Sequence, residues 1–430
     1  MKCNLILRNK TKYKMKKNVI FIIFAIITNC NSFGQFSIYS EYRPRGEFRH
    51  GYKQLADDSL RKDPAVLISQ RTRLNLNYSA KKYKTSLSLQ DVRLWGDQIR
   101  KEDVASTSVY EAWLSYKLYD SLWIKMGRQE LFFDDKVLMS NNNWNQNGGS
   151  HDALKLTYCK SNINIDFVSA YNSSTDQYFG NDYTLLDKNY KLLNILWLSK
   201  TFRKIKTNIA GINDGYQKAG TNATIYMRYT YGGGFDIPFS TLLLQGRCFY
   251  QSGKNNTGKE IAAYYFSANL TDTIIKNFIA TAGIFYASGT DATDTTNKKI
   301  NAFDPLYGTT HGIHGNMDYF TSLAKNTGNA GLQDIYLKLL YKCCKNTTIL
   351  LDYHLFSLQN KYIKNNVTLN KNLGSEIDLG AKFNLSKEAT IELGYSYLFA
   401  QSSLESLSGG DKNSFNHWAY IMFTLKPKFL

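Results

Sequence analysis

Residues Leu122–Tyr158 read LWIKMGRQELFFDDKVLMSNNNWNQNGGSHDALKLTY. The stretch opens with alternation: Leu122, Ile124 and Met126 share one parity, Trp123, Lys125 and Gly127 the other. A polar run of Asn, Gln, Gly and Ser around Trp144 interrupts it, and alternation returns with Leu154, Leu156 and Tyr158 against Lys155 and Thr157. Successive side chains of a strand point to opposite faces, so each flank is a strand with one apolar and one wet face. Strand, long polar loop, strand is the unit of a membrane β-barrel, where lipid takes one parity and a watery lumen the other.

The unit recurs to the end of the chain. Periodicity predicts an all-β fold, a transmembrane antiparallel β-barrel of about 18 strands. The links centred on Lys81, Asp120, Ser161 and Phe202 are short, whereas 49–65, 95–106, 131–149, 173–188, 291–330, 358–374 and 401–414 are long and polar. That order puts short turns on the periplasmic side and long loops outside. Tyr 31 and Phe 24 against Pro 5 favour unbroken strands. A mean hydropathy of −0.38 fits strands that meet lipid at every second residue, and excludes a bundle of membrane helices. Gly232-Gly233-Gly234 lacks the strand–GxxxxGK–helix setting of a phosphate loop and is expected to be a turn.

Seven bases between Lys2 and Lys17, an apolar run from Val19 to Ile27, and small residues at Ser32 and Gly34 have the layout of a secretory signal. The expected division is a leader over 1–34 and a barrel over 35–430. Acylation at Cys30 is disfavoured by Asn29 before it. Removing the leader takes seven of 53 Lys+Arg and no acid, which leaves 46 bases against 35 acids, a net +11. Such a balance suits anionic solutes and lipopolysaccharide, and secretion argues against nucleic acid. Cys159, Cys248, Cys343 and Cys344 have no metal spacing and no CxxC.

Parity also sorts the charges. Inward bases are Arg43, Arg45, Arg49, Arg71, Arg73, Lys117, Lys125, Lys155, Arg228, Arg247, Lys338 and Lys382; inward acids include Glu41, Glu47, Asp334, Asp352, Glu376, Asp378 and Glu392. Bases dominate the first seven strands and acids the last five, so a basic wall should face an acidic one. Tyr78, Tyr116, Trp123, Tyr158, Trp197, Tyr286 and Tyr341 are expected in interfacial girdles.

The run Gly127-Arg128-Gln129-Glu130, then Asp134-Asp135, Trp144, Gln146 and His151-Asp152-Ala153, resembles the alginate export family of outer-membrane barrels. Phe303–Phe320 (FDPLYGTTHGIHGNMDYF), with its His311, Met317 and Asp318, followed by Gly331-Leu332-Gln333-Asp334, is a second point of likeness. The resemblance implies a monomeric export pore inserted by barrel-assembly machinery, with an arginine-rich lumen that passes an acidic polysaccharide. It places Arg128, Gln129, Glu130, His151 and Asp152 at structural and lumen-network positions. The sequence departs from the family at Val137 and Gly149, where relatives often carry arginine.

Other chemistries are weighed and set aside. Ser150, His151 and Asp152 are consecutive, and on a strand they alternate sides, so they cannot form a hydrolytic triad. His311 and His314 lack a third metal ligand nearby. Asp176, Asp182, Asp291, Asp294 and Asp318 in outer loops are expected to be solvated. The expectation is a passive bacterial outer-membrane pore, without cofactor or metal, for an acidic saccharide. The rival is a general or sugar-selective diffusion porin for anionic or neutral solutes.

Overall fold

The computed structural model describes residues 34–57, 63–102, 104–181, 183, 189–218, 221 and 224–430. The expected leader, Gly34 apart, and Asp182 lie outside the described residues. The chain forms eighteen barrel strands: β1 Gln35–His50, β2 Ala65–Ser79, β3 Tyr83–Leu94, β4 Ser108–Tyr119, β5 Leu122–Gln129, β6 His151–Lys160, β7 Ile163–Tyr171, β8 Leu192–Phe202 and β9 Ile205–Gln217. They continue as β10 Ile225–Phe239, β11 Leu242–Lys254, β12 Glu260–Ile275, β13 Phe278–Ala287, β14 Leu332–Cys344, β15 Thr347–Leu358, β16 Asn372–Asn384, β17 Ala389–Ala400 and β18 His417–Leu425.

Each strand pairs antiparallel with its neighbour in sequence, and β1 closes the ring against both β2 (Arg43 opposite Arg71) and β18 (Glu47 opposite Tyr420). Closure leaves no open edge, so every strand finds hydrogen-bond partners within the ring. The C-terminal tail prolongs the seam: the Ile38 amide donates to Leu430 O at 3.1 Å and the Phe429 amide to Ile38 O at 2.8 Å. Turns at one rim are tight, as at 120–121, 161–162, 203–204 and 345–346. Most links at the other rim are long, but 255–259 has only five residues, an exception to the expected strict alternation. The outward parity exposes Leu74, Leu114, Met126, Leu196, Ile209, Leu270, Leu337, Leu379 and Ile421. So much exposed apolar surface is tolerable only against lipid.

The triple glycine is not a turn: it lies within β10. A Cβ on Gly234 would sit 2.2 Å from the Arg247 Cδ, so the glycine makes room for an inward guanidinium on β11.

Two long loops fold into the bore. The β5–β6 loop (130–150) and the β13–β14 loop (288–331) lock together where the Tyr307 amide donates to Leu138 O (3.1 Å), the Ser140 amide to Tyr307 O (2.9 Å) and the Thr309 amide to Lys136 O (2.9 Å). A Cβ on Gly308 would stand 1.8 Å from Val137 O, so only glycine permits this approach. The joined loops pack Leu131, Phe133, Leu138, Met139 and Leu306 against inward residues of β7–β13. Phe133 stacks on Trp197 (centroids 5.1 Å apart), and Trp197, Phe249, Tyr265 and Phe285 continue the stack along the wall.

This core corrects the girdle assignment for two residues. Trp197 is buried in the bore, and Trp123 faces inward opposite Lys117 and Thr157. The bore has an apolar core against Trp197, so an inward position there takes an aromatic as readily as an outward one.

Candidate functional site

Four arginines line the bore on adjacent strands: Arg43 and Arg45 on β1, Arg71 and Arg73 on β2. All four are buried. The acids beside them take part of the charge. Arg71 Nε donates to Glu41 Oε1 at 2.8 Å, and Arg45 Nε to Glu47 Oε1 at 3.0 Å, while Trp418 Nε1 and Arg49 also reach Glu47.

The remaining donors go to the β5–β6 loop. Arg43 Nη1 donates to Asn143 O (2.8 Å), Arg45 Nη1 to Trp144 O (3.0 Å) and Arg43 Nη2 to Asn145 O (3.3 Å). Arg71 Nη1 reaches Gln146 O (3.5 Å) and Arg73 Nη2 reaches Asn147 O (3.4 Å). Five consecutive carbonyls therefore face four guanidiniums. Two side-chain oxygens join them: Gln146 Oε1 accepts from Arg43 Nη2 (2.9 Å) and Asn143 Oδ1 from Arg71 Nη2 (2.9 Å). Arg73 also lies 3.4 Å over the Tyr110 ring.

Acids on β14 and β16, five and three strands round the ring from β1, hold the other loop by its donors, so the acidic wall adjoins the basic one and does not face it as expected. Met317 N donates to Glu376 Oε1 (2.8 Å) and Asn316 N to Asp378 Oδ2 (3.3 Å). Asp334 accepts from His314 Nδ1 (3.0 Å) and His354 Nδ1 (2.9 Å). Asp318 accepts from His311 Nδ1 (2.8 Å) and the Tyr52 hydroxyl (2.5 Å). Burial pushes the His314 imidazole below its usual range despite Asp334. Burial, then the Asp318 charge, pushes the Tyr52 hydroxyl up.

Trp144 stands between two chambers. Its ring stacks on His311 (centroids 3.9 Å apart), with the Arg45 guanidinium 4.3 Å from its centroid and Tyr420 edge-on at 5.0 Å. The chamber on the long-loop side, about 460 Å³, is lined by Arg45, Arg49, Tyr52, Arg93, Trp144 and Asp318. The one on the short-turn side, about 350 Å³, is lined by Arg43, Trp144, Lys382, Lys387, Glu392 and Lys426. Lys382 pairs with Glu392 and Lys426 with Glu41, both close to 3 Å (2.9 and 3.1 Å).

The other inward bases are also partnered. Arg228 binds Asp214 and Asp304, Arg247 binds Asp134 and Asp236, Lys155 binds Asp166, Lys338 binds Asp352, and Lys117 binds Asp120. Lys125 lies 3.9 Å over the Trp113 ring. At the tip of the β5–β6 loop, burial and then the neighbouring Asp134 charge raise the Asp135 carboxyl to about 6. Asp135 touches the lumen's water yet is surrounded by protein, which is enough to disfavour its charged form.

Of the family-type residues, Glu130 accepts from the Tyr110 hydroxyl (2.6 Å) and Asn141 Nδ2 (3.0 Å), and Gln129 is fully buried. His151 faces the bore, with Nδ1 2.8 Å from the Tyr190 hydroxyl. Arg128 and Asp152 are not in the lumen. They project outward from β5 and β6 on the parity of Met126 and Leu154, and pair at 3.3 Å. The alternation Leu122, Ile124, Met126 already places residue 128 on that side. His311 and His314 each bind a different carboxylate, so they do not converge on one point.

Two features lay beyond reach of parity. Tyr52 and Gln146 are in loops, and nothing in their spacing tells which wall they meet. Gln146 sits in the NNNWNQN run, whose density of amides was the available signal.

No curated protein sequence matches the chain. Among solved structures it is similar to Pseudomonas aeruginosa OccK10 (OpdN), with 10% identity, a TM-score of 0.60, and coverage of 92% of this chain and 99% of that one. It is similar also to OpdK of the same organism, solved with vanillate (8% identity, TM-score 0.57, 91% and 99% covered), and to OccK3 (OpdO; 11%, 0.60, 92% and 96%). These likenesses concern the fold. Residues 35–406 match the alginate export family. A closed barrel with a lipid-compatible exterior, matched by that family over most of its length, makes this bacterial outer-membrane channel a member of the alginate export family.

Proposed function

We propose that the channel passes acidic saccharides of oligosaccharide size through the bore along the β1–β2 and β16–β18 walls. The observation that carries this reading is the four-arginine array, each member of which gives donors to oxygen acceptors in the bore. A planar guanidinium with five donors matches a carboxylate two bonds at a time. The chamber at the short-turn side adds Lys382, Lys387 and Lys426 against Glu388 and Glu392. Chambers of about 460 and 350 Å³ fall within the range of clefts that take drug-sized ligands, the size of a short oligosaccharide.

The second reading, a diffusion channel for small polar solutes, is favoured by the burial of the same arginines. Reversal potentials of the refolded protein in a planar bilayer under a salt gradient separate the two, with a uronate trimer and a neutral trimer added in turn. Anion preference, with block by the uronate alone, is the expected result. Cation preference, or indifference to uronate, leaves the diffusion channel.

A further inference from the structure

We infer that a cleft at the long-loop rim, over β9–β12, is a binding site for one uncharged sugar ring, separate from the arginine wall. These strands lie on the side of the ring opposite β1, so the site stands whichever solute the arginines pass.

The cleft measures about 280 Å³, just below the range of clefts that take drug-sized ligands, which suits a single ring. Ile261, Ile300 and Ala302 give it an apolar floor, and Asp304, Asn256 and Asn329 line its more exposed part. The floor is built into the sheet. The Ile300 amide donates to Glu260 O (2.8 Å) and the Ala262 amide to Ile300 O (2.9 Å), so the β13–β14 loop bridges to β12. Gln251, buried on β11, clamps the same loop: its Oε1 accepts from the Asp304 amide (3.0 Å) and its Nε2 donates to Asp304 O (2.7 Å). The Asp304 carboxylate is fixed in turn by Arg228 Nη1 (2.7 Å) on one oxygen and the Leu306 amide (3.0 Å) on the other. A carboxylate has about four acceptor positions, so half-exposed Asp304 keeps others open. A site held this firmly before its ligand arrives loses little freedom on binding.

Charge and polarity select the ligand. Arg228 is shared by Asp214 and Asp304, two carboxylates on one guanidinium, and among the described residues no other charged side chain lines the cleft. A uronate would meet surplus negative charge there. An uncharged sugar matches both surfaces: its C–H face covers the apolar floor, and its hydroxyls donate to Asp304. The side chains of Asn256 and Asn329 have no partner among the described residues, and an amide can donate to a hydroxyl or accept from it.

The test titrates the detergent-folded barrel with glucose, glucuronate and glucosamine, one ring in neutral, anionic and cationic form, and reads binding by saturation-transfer NMR. Expected is saturable glucose binding, with glucuronate several-fold weaker. Ala324→Trp fills the cleft from the loop and should abolish glucose binding while leaving the reversal potential unchanged. Asp304→Asn should weaken glucose roughly tenfold, as loss of a charged acceptor does. Heat-dependent gel mobility checks that each variant has folded. No saturable binding of any probe, or glucose binding that survives Ala324→Trp in a folded barrel, overturns the site. Glucuronate bound as tightly as glucose, or glucosamine bound about tenfold tighter, overturns the uncharged ligand. If Ala324→Trp does not fold, Asp304→Asn decides, and unchanged glucose affinity there overturns the site. Failure of uronate to block the bore, with glucose binding lost in Ala324→Trp, sinks the acidic-saccharide reading and upholds this site.

Discussion

The arginine wall of β1–β2 and the carboxylate wall of β14–β16 each hold a loop inside the bore, and they do so with opposite hardware. Arginines donate, so they take up the β5–β6 loop by its carbonyls. Carboxylates accept, so they take up the β13–β14 loop by its amides and imidazoles. The walls differ also in how their charge is balanced. Arg71 and Arg45 have Glu41 and Glu47 within reach, whereas among the described residues no lysine or arginine pairs with Asp334, Glu376 or Asp378. Removing a buried partner from a balanced ion pair strands a charge; neutralising a carboxyl without a cation strands nothing.

That contrast predicts the largest difference. Arg71→Ala leaves buried Glu41 without its closest cation and uncovers loop carbonyls, so it should cost about 3–5 kcal/mol in denaturant unfolding of the detergent-folded barrel. Glu376→Gln keeps an oxygen for the Met317 amide and removes a carboxylate two residues from another, so its cost should stay within about 1 kcal/mol. Equal costs for the two variants would mean that the walls differ in sign only.

The interlock between the walls gives a smaller effect, with a pH window. Asp135 titrates near 6 in the folded chain against an ordinary 3.8. The folded state therefore binds this proton more tightly than the unfolded one. Its contribution to stability is complete below the ordinary value and is lost as pH rises through about 6. Between pH 7 and 5 the loop tip loses one negative charge, so anion preference should rise as pH falls. Asp135→Asn should show the higher preference already at pH 7 and no further change. A full pH response in that variant would place the titrating group elsewhere.

The barrel was legible because lipid enforces the alternation. In β16, Ile377, Leu379 and Ala381 against Glu376, Asp378 and Lys382 leave one register open. The same rule assigned Arg43, Arg45, Arg71 and Arg73 to the inner face. What parity could not supply is what else occupies that face. The clue was in β8, where Leu192-Leu193-Asn194-Ile195-Leu196-Trp197-Leu198 is apolar on both parities. A strand apolar on both sides is covered on both sides, so something apolar had to fill the bore beside it. The NNNWNQN run shows only polarity. Its backbone carbonyls do the binding, and every residue type carries the same carbonyl, so no sequence pattern announces them.

Arg128 and Asp152 are the control for the contrast between the walls. They are the same residue types as the pairs inside, at 3.3 Å, but both side chains are more than two-fifths exposed (44% and 66%). An exposed pair gains little, because solvent screens the charges and two long side chains lose freedom to meet. Arg128→Ala should therefore change unfolding stability by less than about 1 kcal/mol and leave the reversal potential where it was. A shift in ion selectivity from this outward residue would mean that charge on the barrel's outer face reaches the solute path. The difference between Arg71 and Arg128 would then lie in position along the bore and no longer in burial.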